Sequence, residues 1–249
     1  MGIRLVDLKK RYGDQQVLDG FTLDVPEGSV TTIIGPSGSG KSTCLKTVIG
    51  LVSPDAGEVW VDDQRVDTLE GDDLYELRRK VGFVFQFAAL FDSMNIFDNV
   101  AMGLRRAGEL DEAAIAERVR ESLALVDLEG AEEKLPSELS GGMRKRAGVA
   151  RAVAQRPRYL LYDEPTTGLD PVTVTVIDRL ILRMRDELGV TSLVITHDLE
   201  SAYRISDRLA MLHRGRTRWV GEPEAIKDVD DPAVQGFIRG EPELWEEAS

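Results

Sequence analysis

Gly35-Pro36-Ser37-Gly38-Ser39-Gly40-Lys41-Ser42-Thr43 is the stretch of sequence that decides the fold of this 249-residue chain. It matches the phosphate-binding pattern G-x-x-x-x-G-K-[ST] at every fixed position. Residues 29–34 before it are apolar and β-branched, as in a buried strand, and residues 41–49 after it have the pattern of a helix. Strand, glycine loop and helix in this order predict an α/β fold that binds a nucleotide triphosphate.

The chemistry of phosphate binding explains the residues of this loop. Glycines permit positive φ, so that successive backbone N–H groups and the positive end of the helix can face phosphate oxygens. Lys41 is expected to reach the β- and γ-phosphates, and Ser42 to ligate Mg²⁺, which prefers oxygen ligands. Thr43 is placed to support the inner phosphates. The loop therefore predicts a nucleotide site that also holds Mg²⁺.

Composition limits the partners of the chain. The net charge is −13, whereas nucleic acid and anionic lipid head groups attract cationic surfaces. No apolar run approaches the length of a membrane span, and the first residues do not resemble a signal peptide. We therefore expect no nucleic-acid partner and no direct membrane insertion, so that any role at a membrane runs through a protein partner.

Cysteine content and local charge point to ordinary structural roles. The single cysteine, Cys44, excludes an internal disulfide and fits a reducing cytosol, and we expect it to pack beneath the loop. Basic residues cluster in two places, which we interpret as a solvated helix face or a hairpin edge. The clusters are Arg144, Lys145, Arg146, Arg151, Arg156 and Arg158, and Arg204, Arg208, Arg214, Arg216 and Arg218.

The first part of the chain alternates like antiparallel strands. Residues 3–7 and 17–25 are predicted strands, with residues 9–14 as the turn between them. Tyr12 in this turn is either an exposed aromatic at a strand end or a ring that stacks on a nucleotide base. Residues 81–85 form a further predicted strand that ends at Gln86.

The middle of the chain has a helical pattern from residue 87 to about residue 154. Residues 111–128 place apolar side chains at helical spacing on one face, opposite a charged face. Ser140, Gly141 and Gly142 then precede another helix and form a second potential anion site, although such a cap alone is more often structural. We interpret this region as a helical lobe inserted in the α/β core.

Polar residues follow two predicted strands in the second half of the chain. Asp163 and Glu164 come after strand 159–162, and His197 comes after strand 190–196. Because α/β folds place their chemistry at the carboxyl ends of strands, one carboxylate can hold Mg²⁺ through water while the other orients or deprotonates an attacking water. His213, near a predicted hairpin, is interpreted as structural.

Together these elements resemble the ATP-binding cassette (ABC) family of ATPases over essentially the whole chain. The resemblance implies a P-loop NTPase with a RecA-like sheet core, an antiparallel β subdomain and an inserted helical subdomain. It places the core in residues 1–86 and 155–221, the helical subdomain in residues 87–154 and a tail in residues 222–249. The matching residues are the loop 35–43, Gln86, 139–143, 159–165, 168–170 and His197.

The resemblance also implies roles within a dimer that sandwiches two ATP molecules head to tail. Glu164 is the implied general base, Gln86 contacts the metal and the attacking water, Asp163 supports the metal, and His197 holds the γ-phosphate and the water in register. Ser140 and Gly142 cap the γ-phosphate bound by the opposite subunit. The residues implied in ATP binding are Tyr12, Gly35, Ser37, Gly38, Ser39, Gly40, Lys41, Ser42, Thr43, Ser140, Gly141, Gly142 and Asp170, the last at the dimer seam.

One departure from the family pattern narrows the resemblance. Met143 stands where the family usually has glutamine, and residues 139–146 resemble the ATPases of Mla-type phospholipid transporters, which work with MCE-domain proteins. Residues 85–100 resemble the same branch. In ABC ATPases this region forms the groove for a coupling helix of the membrane subunit, so the apolar residues here either dock that helix or belong to the core. These residues are Phe87, Leu90, Phe91 and Met94.

The resemblance therefore predicts an ATP-hydrolysing transporter subunit that energises phospholipid or related lipid transport. Its expected partners are a second copy, a multi-span membrane permease and an MCE-domain lipid-binding protein, and its expected place is cytoplasmic, peripheral on the inner face of the membrane. The alternatives are a transporter ATPase for another solute, such as an amino acid, and a soluble ABC ATPase of the iron–sulfur assembly type. The tail is either an exposed terminus or a contact with a neighbouring subunit through Trp245.

Overall fold

A computed structural model describes residues 2–241 and 243, in which two β-sheets are joined to a group of helices. The strands are β1 (Gly2–Tyr12), β2 (Gln15–Pro26), β3 (Val30–Ile34), β4 (Ala56–Val61), β5 (Gln64–Arg65), β6 (Val81–Val84), β7 (Tyr159–Asp163), β8 (Thr191–Ile195), β9 (Arg208–His213) and β10 (Arg216–Gly221). The helices are α1 (Lys41–Val48), α2 (Gly71–Arg79), α3 (Ile96–Ala107), α4 (Glu112–Leu125), α5 (Gly141–Val153), α6 (Pro171–Leu188), α7 (Leu199–Ile205) and α8 (Pro232–Arg239).

The smaller sheet is antiparallel and has the strand order β2-β1-β4-β5. Its first hairpin is longer than the alternation predicted. Lys9 pairs with Asp19 and Tyr12 pairs with Gln15, so the predicted turn over residues 9–14 is wrong and the turn lies at Gly13 and Asp14. Irregular register near Asp7, which has φ 48, breaks the alternation without ending the strand.

The larger sheet has the strand order β10-β9-β3-β8-β7-β6 and is parallel except for β10. Ile195 of β8 pairs with Ile33 of β3 on one side and with Asp163 of β7 on the other. The carboxyl ends of β3, β8, β7 and β6 therefore meet at one edge of the sheet. The loop 35–40, His197, Glu164 and Gln86 all follow these strand ends.

Both faces of the larger sheet are covered, as the apolar strands predict. In β7, Leu160 and Tyr162 point into a cluster shared with α3, α4, α5 and α6. Tyr159 and Leu161 point to the opposite face, into a cluster shared with α1 and the antiparallel sheet. Successive side chains of a strand alternate between faces, so this one strand joins the two main cores.

The helical region of residues 87–154 is built from α3, α4 and α5. Asn95, Asp111 and Ser140 cap their first turns, since each side chain accepts a hydrogen bond from a backbone N–H three residues later. Ile115, Val119 and Leu123 of α4 are buried, as their helical spacing predicts. The domain boundaries inferred from the resemblance stay a prediction.

An ion pair between a buried carboxylate and a surface arginine joins α6 to α7. Asp178 of α6 is fully buried, and its carboxylate accepts hydrogen bonds from Ser201 and from Arg204 of α7. Burial raises the pKa of Asp178, and these two hydrogen bonds offset part of that rise. Because α6 begins after Asp170 and α7 begins after His197, the pair fixes two segments of the predicted site relative to each other.

We expect Arg204→Met to lower the free energy of unfolding by about 2 kcal/mol at pH 7.5, because it leaves the buried Asp178 carboxylate without its cation. The loss should shrink towards pH 5, since the raised pKa lets folded Asp178 take up a proton before the unfolded chain does. Urea unfolding at both pH values measures the effect. The control is Arg183→Met, on the same helix as Asp178. It removes an ion pair with the exposed Asp127 and should cost about 1 kcal/mol or less at either pH. An equal loss for both variants would contradict the role of the pair with buried Asp178.

The end of the described chain packs on the last hairpin. Val234 of α8 is buried in a small cluster with Leu209 and Met211 of β9, and Asp231 before α8 pairs with Arg218 at 2.8 Å. Trp245, the proposed anchor for a neighbouring subunit, lies outside the described residues. Within residues 2–241 and 243, no helix has both the length and the apolar content needed to cross a bilayer.

Candidate nucleotide site

The loop between β3 and α1 has a backbone that requires its glycines. Gly35, Gly38 and Gly40 have φ of 151°, 79° and 103°. At Gly40 a Cβ atom would lie 2.9 Å from the carbonyl oxygen of Val17, so a side chain has no room there. The backbone N–H groups of the loop therefore lie at the start of α1. Backbone donors and the helix dipole favour an anion there.

Two polar side chains of the loop, Lys41 and Ser39, could form new hydrogen bonds with a phosphate. Lys41 is buried, and its Nζ donates to the carbonyl oxygens of Gly35 at 2.8 Å and Pro36 at 3.0 Å. Burial lowers the pKa of Lys41, and Glu164 and Asp163 oppose that shift. The buried hydroxyl of Ser39 has no hydrogen-bond partner among the described residues. An incoming phosphate would satisfy Ser39 and compete for the Lys41 ammonium.

Ser42 and Asp163 meet across the loop. The Ser42 hydroxyl donates to Asp163 Oδ1 at 3.0 Å, although the two residues are 121 positions apart. Burial raises the pKa of Asp163, and the Ser42 hydrogen bond lowers it. A hydroxyl and a carboxylate are oxygen ligands, and Mg²⁺ in phosphate sites usually takes only one or two protein ligands beside waters and phosphates. These two oxygens fit such an ion, and no cluster of three or more His, Cys, Asp or Glu ligands occurs in the described part of the chain.

Glu164 is held in place from several sides. Its Oε2 lies 2.8 Å from His197 Nδ1 and accepts a hydrogen bond from the Thr167 hydroxyl at 3.2 Å. Its Oε1 lies 4.0 Å from Lys41 Nζ. The backbone at Glu164 has φ 49, which strains a residue with a side chain and persists only where its surroundings enforce it. The carboxylate is thereby aimed at the end of the phosphate loop.

A single cavity of about 480 Å³ brings most of the predicted site residues together. Tyr12, half-exposed at the end of β1, stands at this cavity, and Lys10 Nζ lies 5.6 Å from its ring centroid. Both interpretations of Tyr12 fit this position. The predicted residues that line the cavity are Tyr12, Ser37, Gly38, Gly40, Lys41, Ser42, Thr43, Gln86, Glu164 and His197, and Gln15 and Val17 join them.

Ser140, Gly141, Gly142 and Asp170 form a second group, whereas Gly35, Ser39 and Asp163 lie in or against the phosphate loop without lining the cavity. Of the described residues that line the cavity, none belongs to 140–142 or 170. The helix start at Gly142 instead packs beside α6, where a Cβ atom on Gly142 would lie 2.5 Å from Thr173 Cγ2. Asp170 caps α6 by accepting hydrogen bonds from the N–H groups of Val172 and Thr173. A hydrogen bond from the Thr173 hydroxyl is the main cause that lowers the pKa of Asp170, and the two N–H groups lower it further. Within one chain, this second group is separate from the loop.

Four residues that contact the site were not assigned to it from the sequence: Gln15 and Val17, which line the cavity, and Lys145 and Thr167, which contact Glu164. Lys145 was interpreted within a solvated basic cluster, which is wrong for this residue, because it is buried and donates to the carbonyl oxygens of Gln86 and Glu164. Lys145 lies three and seven residues before Gly148 and Ala152, which are buried. This helical spacing could have indicated from the sequence that Lys145 faces inward. Thr167, which donates to Glu164, follows its partner by only three residues and carried no distinguishing pattern.

The four apolar residues after Gln86 divide among different surroundings. Phe91 is 48% exposed and lines a groove of about 380 Å³ with Phe83, Phe85 and Met102. Phe87 is 82% exposed and lies in another cleft, beside Gly141 and Gly168. Leu90 packs against the helical core, and Met94 is partly buried.

Two residues given structural interpretations are buried. Cys44 is fully buried beneath the loop, as predicted, and burial raises the pKa of its thiol. His213 ends β9 at the last hairpin and is 6% exposed, and burial lowers its pKa. Both belong to the structural frame around the strands.

Comparisons with known proteins agree with this geometry. The family model described as "ABC transporter" matches residues 18–167. The chain is 40% identical to the "Probable ribonucleotide transport ATP-binding protein mkl" of Mycobacterium leprae, over 96% of this chain and 69% of that protein. It is 39% identical to the "Intermembrane phospholipid transport system ATP-binding protein MlaF" of Haemophilus influenzae, over 96% of this chain and 90% of that protein. A dimeric ATP-binding cassette in a post-hydrolysis state, bound to ADP and Pi, superposes with a TM-score of 0.81 and 33% identity, over 89% of this chain and 98% of that one.

Proposed function

The chain belongs to the ABC transporter family, as an ATP-hydrolysing subunit, and we propose that its transporter moves phospholipid or a related lipid. The observation that carries the lipid assignment is the segment Leu139 to Arg146 with Met143 after its glycines, together with the likeness to a phospholipid-transport ATPase. The Met143 side chain packs against the helical core, while its N–H donates to Ser140 at 3.2 Å. The Ser140 hydroxyl only accepts in this contact, so its proton can still be donated to a phosphate.

We propose that two copies complete each site head to tail. The cavity beside Lys41 has no lining residue from 140–142 among the described residues, so one chain leaves the γ-phosphate side of the loop open. The Ser140 hydroxyl and the N–H groups of Gly141 and Gly142 at the start of α5 would close that side on the partner copy. The structural relative in a post-hydrolysis state is dimeric, which supports this arrangement.

The proposed chemistry uses the contacts around Glu164. Its carboxylate, oriented by His197 and Thr167, takes a proton from the attacking water, and the Gln86 side chain in the same cavity positions that water. Lys41 exchanges its loop carbonyl partners for phosphate oxygens. Mg²⁺, when bound by Ser42 and supported by Asp163, would neutralise charge on the phosphates. Binding of ATP then favours the closed dimer, and hydrolysis releases it.

The groove beside Phe91 is the proposed docking site for a short helix of a multi-span permease. Its floor is aromatic, since the rings of Phe83 and Phe85 lie 4.4 Å apart between centroids. The backbone at Phe91 is held in place by buried Asn99, whose side chain accepts from the Phe91 N–H and donates to the Phe91 carbonyl. An apolar helix face fits such a groove. Transport through a permease would place the subunit on the inner face of a membrane.

Affinity purification of the tagged chain from detergent-solubilised membranes tests the cargo. A multi-span permease with an MCE-domain protein and bound phospholipid is the expected eluate. A permease with a solute-binding protein would instead favour cargo such as the ribonucleotide named for the mycobacterial relative. Recovery of soluble partners alone would overturn the transporter assignment in favour of an iron–sulfur assembly ATPase.

We expect Phe91→Asp to remove the permease from the eluate, because a carboxylate in the apolar groove would be desolvated by the docked helix. A loss of about 3 kcal/mol in binding free energy would weaken the affinity for the permease more than a hundredfold, and recovery should fall with it. Leu188→Asp is the matched control, since Leu188 is 45% exposed at the far end of α6 and Phe91 is 48% exposed. Equal permease recovery with both variants would contradict docking at this groove.

A further inference from the structure

One face of α5 contacts the segment 86–89 that follows β6. Lys145 donates to the Gln86 carbonyl, and Arg151 donates to the carbonyls of Ala88 and Ala89, each at 2.6 Å. Between them, Gly148 lies so close that a Cβ atom there would be 3.2 Å from the Ala88 Cβ. Positions 145, 148 and 151 are spaced by about one helical turn, so a single face of the helix holds the segment.

Lys145 also reaches the residue proposed as the general base. Its Nζ donates to the Glu164 carbonyl at 3.3 Å, and the same carbonyl accepts from the Thr167 N–H at 3.3 Å. One ammonium therefore joins three segments: the helix that starts after Ser140, the backbone of Gln86 and the backbone of Glu164.

The backbone at these acceptors is in a conformation that needs support. Ala88, Ala89 and Glu164 have φ of 60°, 48° and 49°. A residue that carries a side chain is strained in this region and keeps the conformation only where its surroundings enforce it. The hydrogen bonds from Lys145 and Arg151 supply such constraints directly at the strained peptides.

Lys145 is buried, so its ammonium depends on the acceptors around it. The residue is 6% exposed, and a buried ammonium is costly unless acceptors surround it. Burial is the largest effect on the pKa of Lys145 and lowers it, while the Glu164 and Asp163 carboxylates act in the opposite direction. The carbonyl oxygens of Gln86 and Glu164 supply these acceptors.

We propose that Lys145 is a positioning residue that ties α5, the helix that begins after Ser140, to the proposed general base Glu164. When Ser140 closes on the ATP of the partner copy, α5 moves with the backbone of Gln86 and Glu164, so closure and placement of the base occur together. This inference rests on the proposed roles of Ser140, Gln86 and Glu164. It goes beyond them by naming the side chain that couples the two groups of site residues.

The test compares steady-state ATP hydrolysis by the full chain with binding of a non-hydrolysable ATP analogue. Lys145→Met should lower kcat about tenfold or more while the dissociation constant of the analogue changes by less than about twofold, because a misplaced base affects only the chemical step. Lys145→Arg, which keeps the cation and its donors, should recover most of the loss. Arg146→Met is the control, since its guanidinium contacts the carbonyls of Val126 and Asp127 at the end of α4.

Epistasis separates this inference from the role of the base. Lys145→Met added to Glu164→Gln should cause no further loss of kcat, because Lys145 acts through Glu164. If Lys145→Met has the wild-type kcat while Glu164→Gln is slow, the coupling through Lys145 is overturned and Glu164 keeps its role as the base. Normal turnover in Glu164→Gln would overturn both. If Lys145→Met does not fold, Lys145→Gln, which keeps N–H donors but loses the charge, should show a smaller loss of kcat, and an unchanged kcat there would equally overturn the proposal.

Discussion

Glu164→Gln is expected to bind ATP normally and to hydrolyse it about a thousandfold more slowly, because general base catalysis contributes factors of this size. The amide is nearly isosteric, so it can keep the contacts with Thr167 and His197. It cannot accept the proton of the attacking water. ATP-bound closed dimer should therefore accumulate, since hydrolysis is the step that releases it.

Phosphate release and size-exclusion chromatography with ATP measure the two parts of this result. Glu187→Gln is the control, because Glu187 is an exposed carboxylate at the far end of α6 that lies 3.8 Å from Arg183. The control should hydrolyse ATP at the wild-type rate and remain in the wild-type distribution of monomer and dimer. Normal turnover by Glu164→Gln would remove Glu164 from the base role.

Lys41→Ala is expected to weaken nucleotide binding about a hundredfold or more, since charged hydrogen bonds to phosphate contribute about 1.5 to 3 kcal/mol each. In the described structure the ammonium is buried and donates to the Gly35 and Pro36 carbonyls. These weaker partners can be exchanged for phosphate oxygens, whereas alanine has no group to offer. The effect on affinity distinguishes Lys41 from Glu164, whose loss should affect turnover alone.

Titration with a fluorescent ATP analogue, together with a thermal unfolding midpoint, separates binding from folding in this variant. Lys134→Ala, which removes an exposed lysine, should match the wild type in both measurements. Unchanged affinity in a folded Lys41→Ala protein would contradict the assignment of the phosphate loop. A lower midpoint with unchanged affinity would make Lys41 a structural residue of the loop.

The main architecture was predictable from the sequence because local chemistry specified it. The phosphate loop requires glycines at positive φ, and the short apolar strands before Gln86, Glu164 and His197 place these residues at one sheet edge once the strands are parallel. The resemblance to ABC ATPases, carried by the same residues, agrees with the family model. The individual roles of the site residues remain predictions that the variants above test.

The errors arose where tertiary contacts override local pattern. Residues 9–12 look like a turn, yet they pair with β2 because a bulge near Asp7 lets the strand continue. Lys145 looks like a surface charge, yet carbonyls from two distant segments surround its ammonium. Phe87 and Phe91 look alike in sequence, but they face different clefts because the chain bends at Ala88 and Ala89.

By itself, the sequence determined the phosphate loop with the strand and helix that flank it, and the carboxylates that follow β7, because each depends on residues adjacent in the chain. Only the tertiary structure decided which distant groups meet: Ser42 with Asp163, His197 with Glu164, and Lys145 with Gln86 and Glu164. It also separated residues 140–142 from the cavity that holds Lys41. The physical reason is that such contacts depend on sheet order and helix packing, which bring together residues that no local sequence pattern connects.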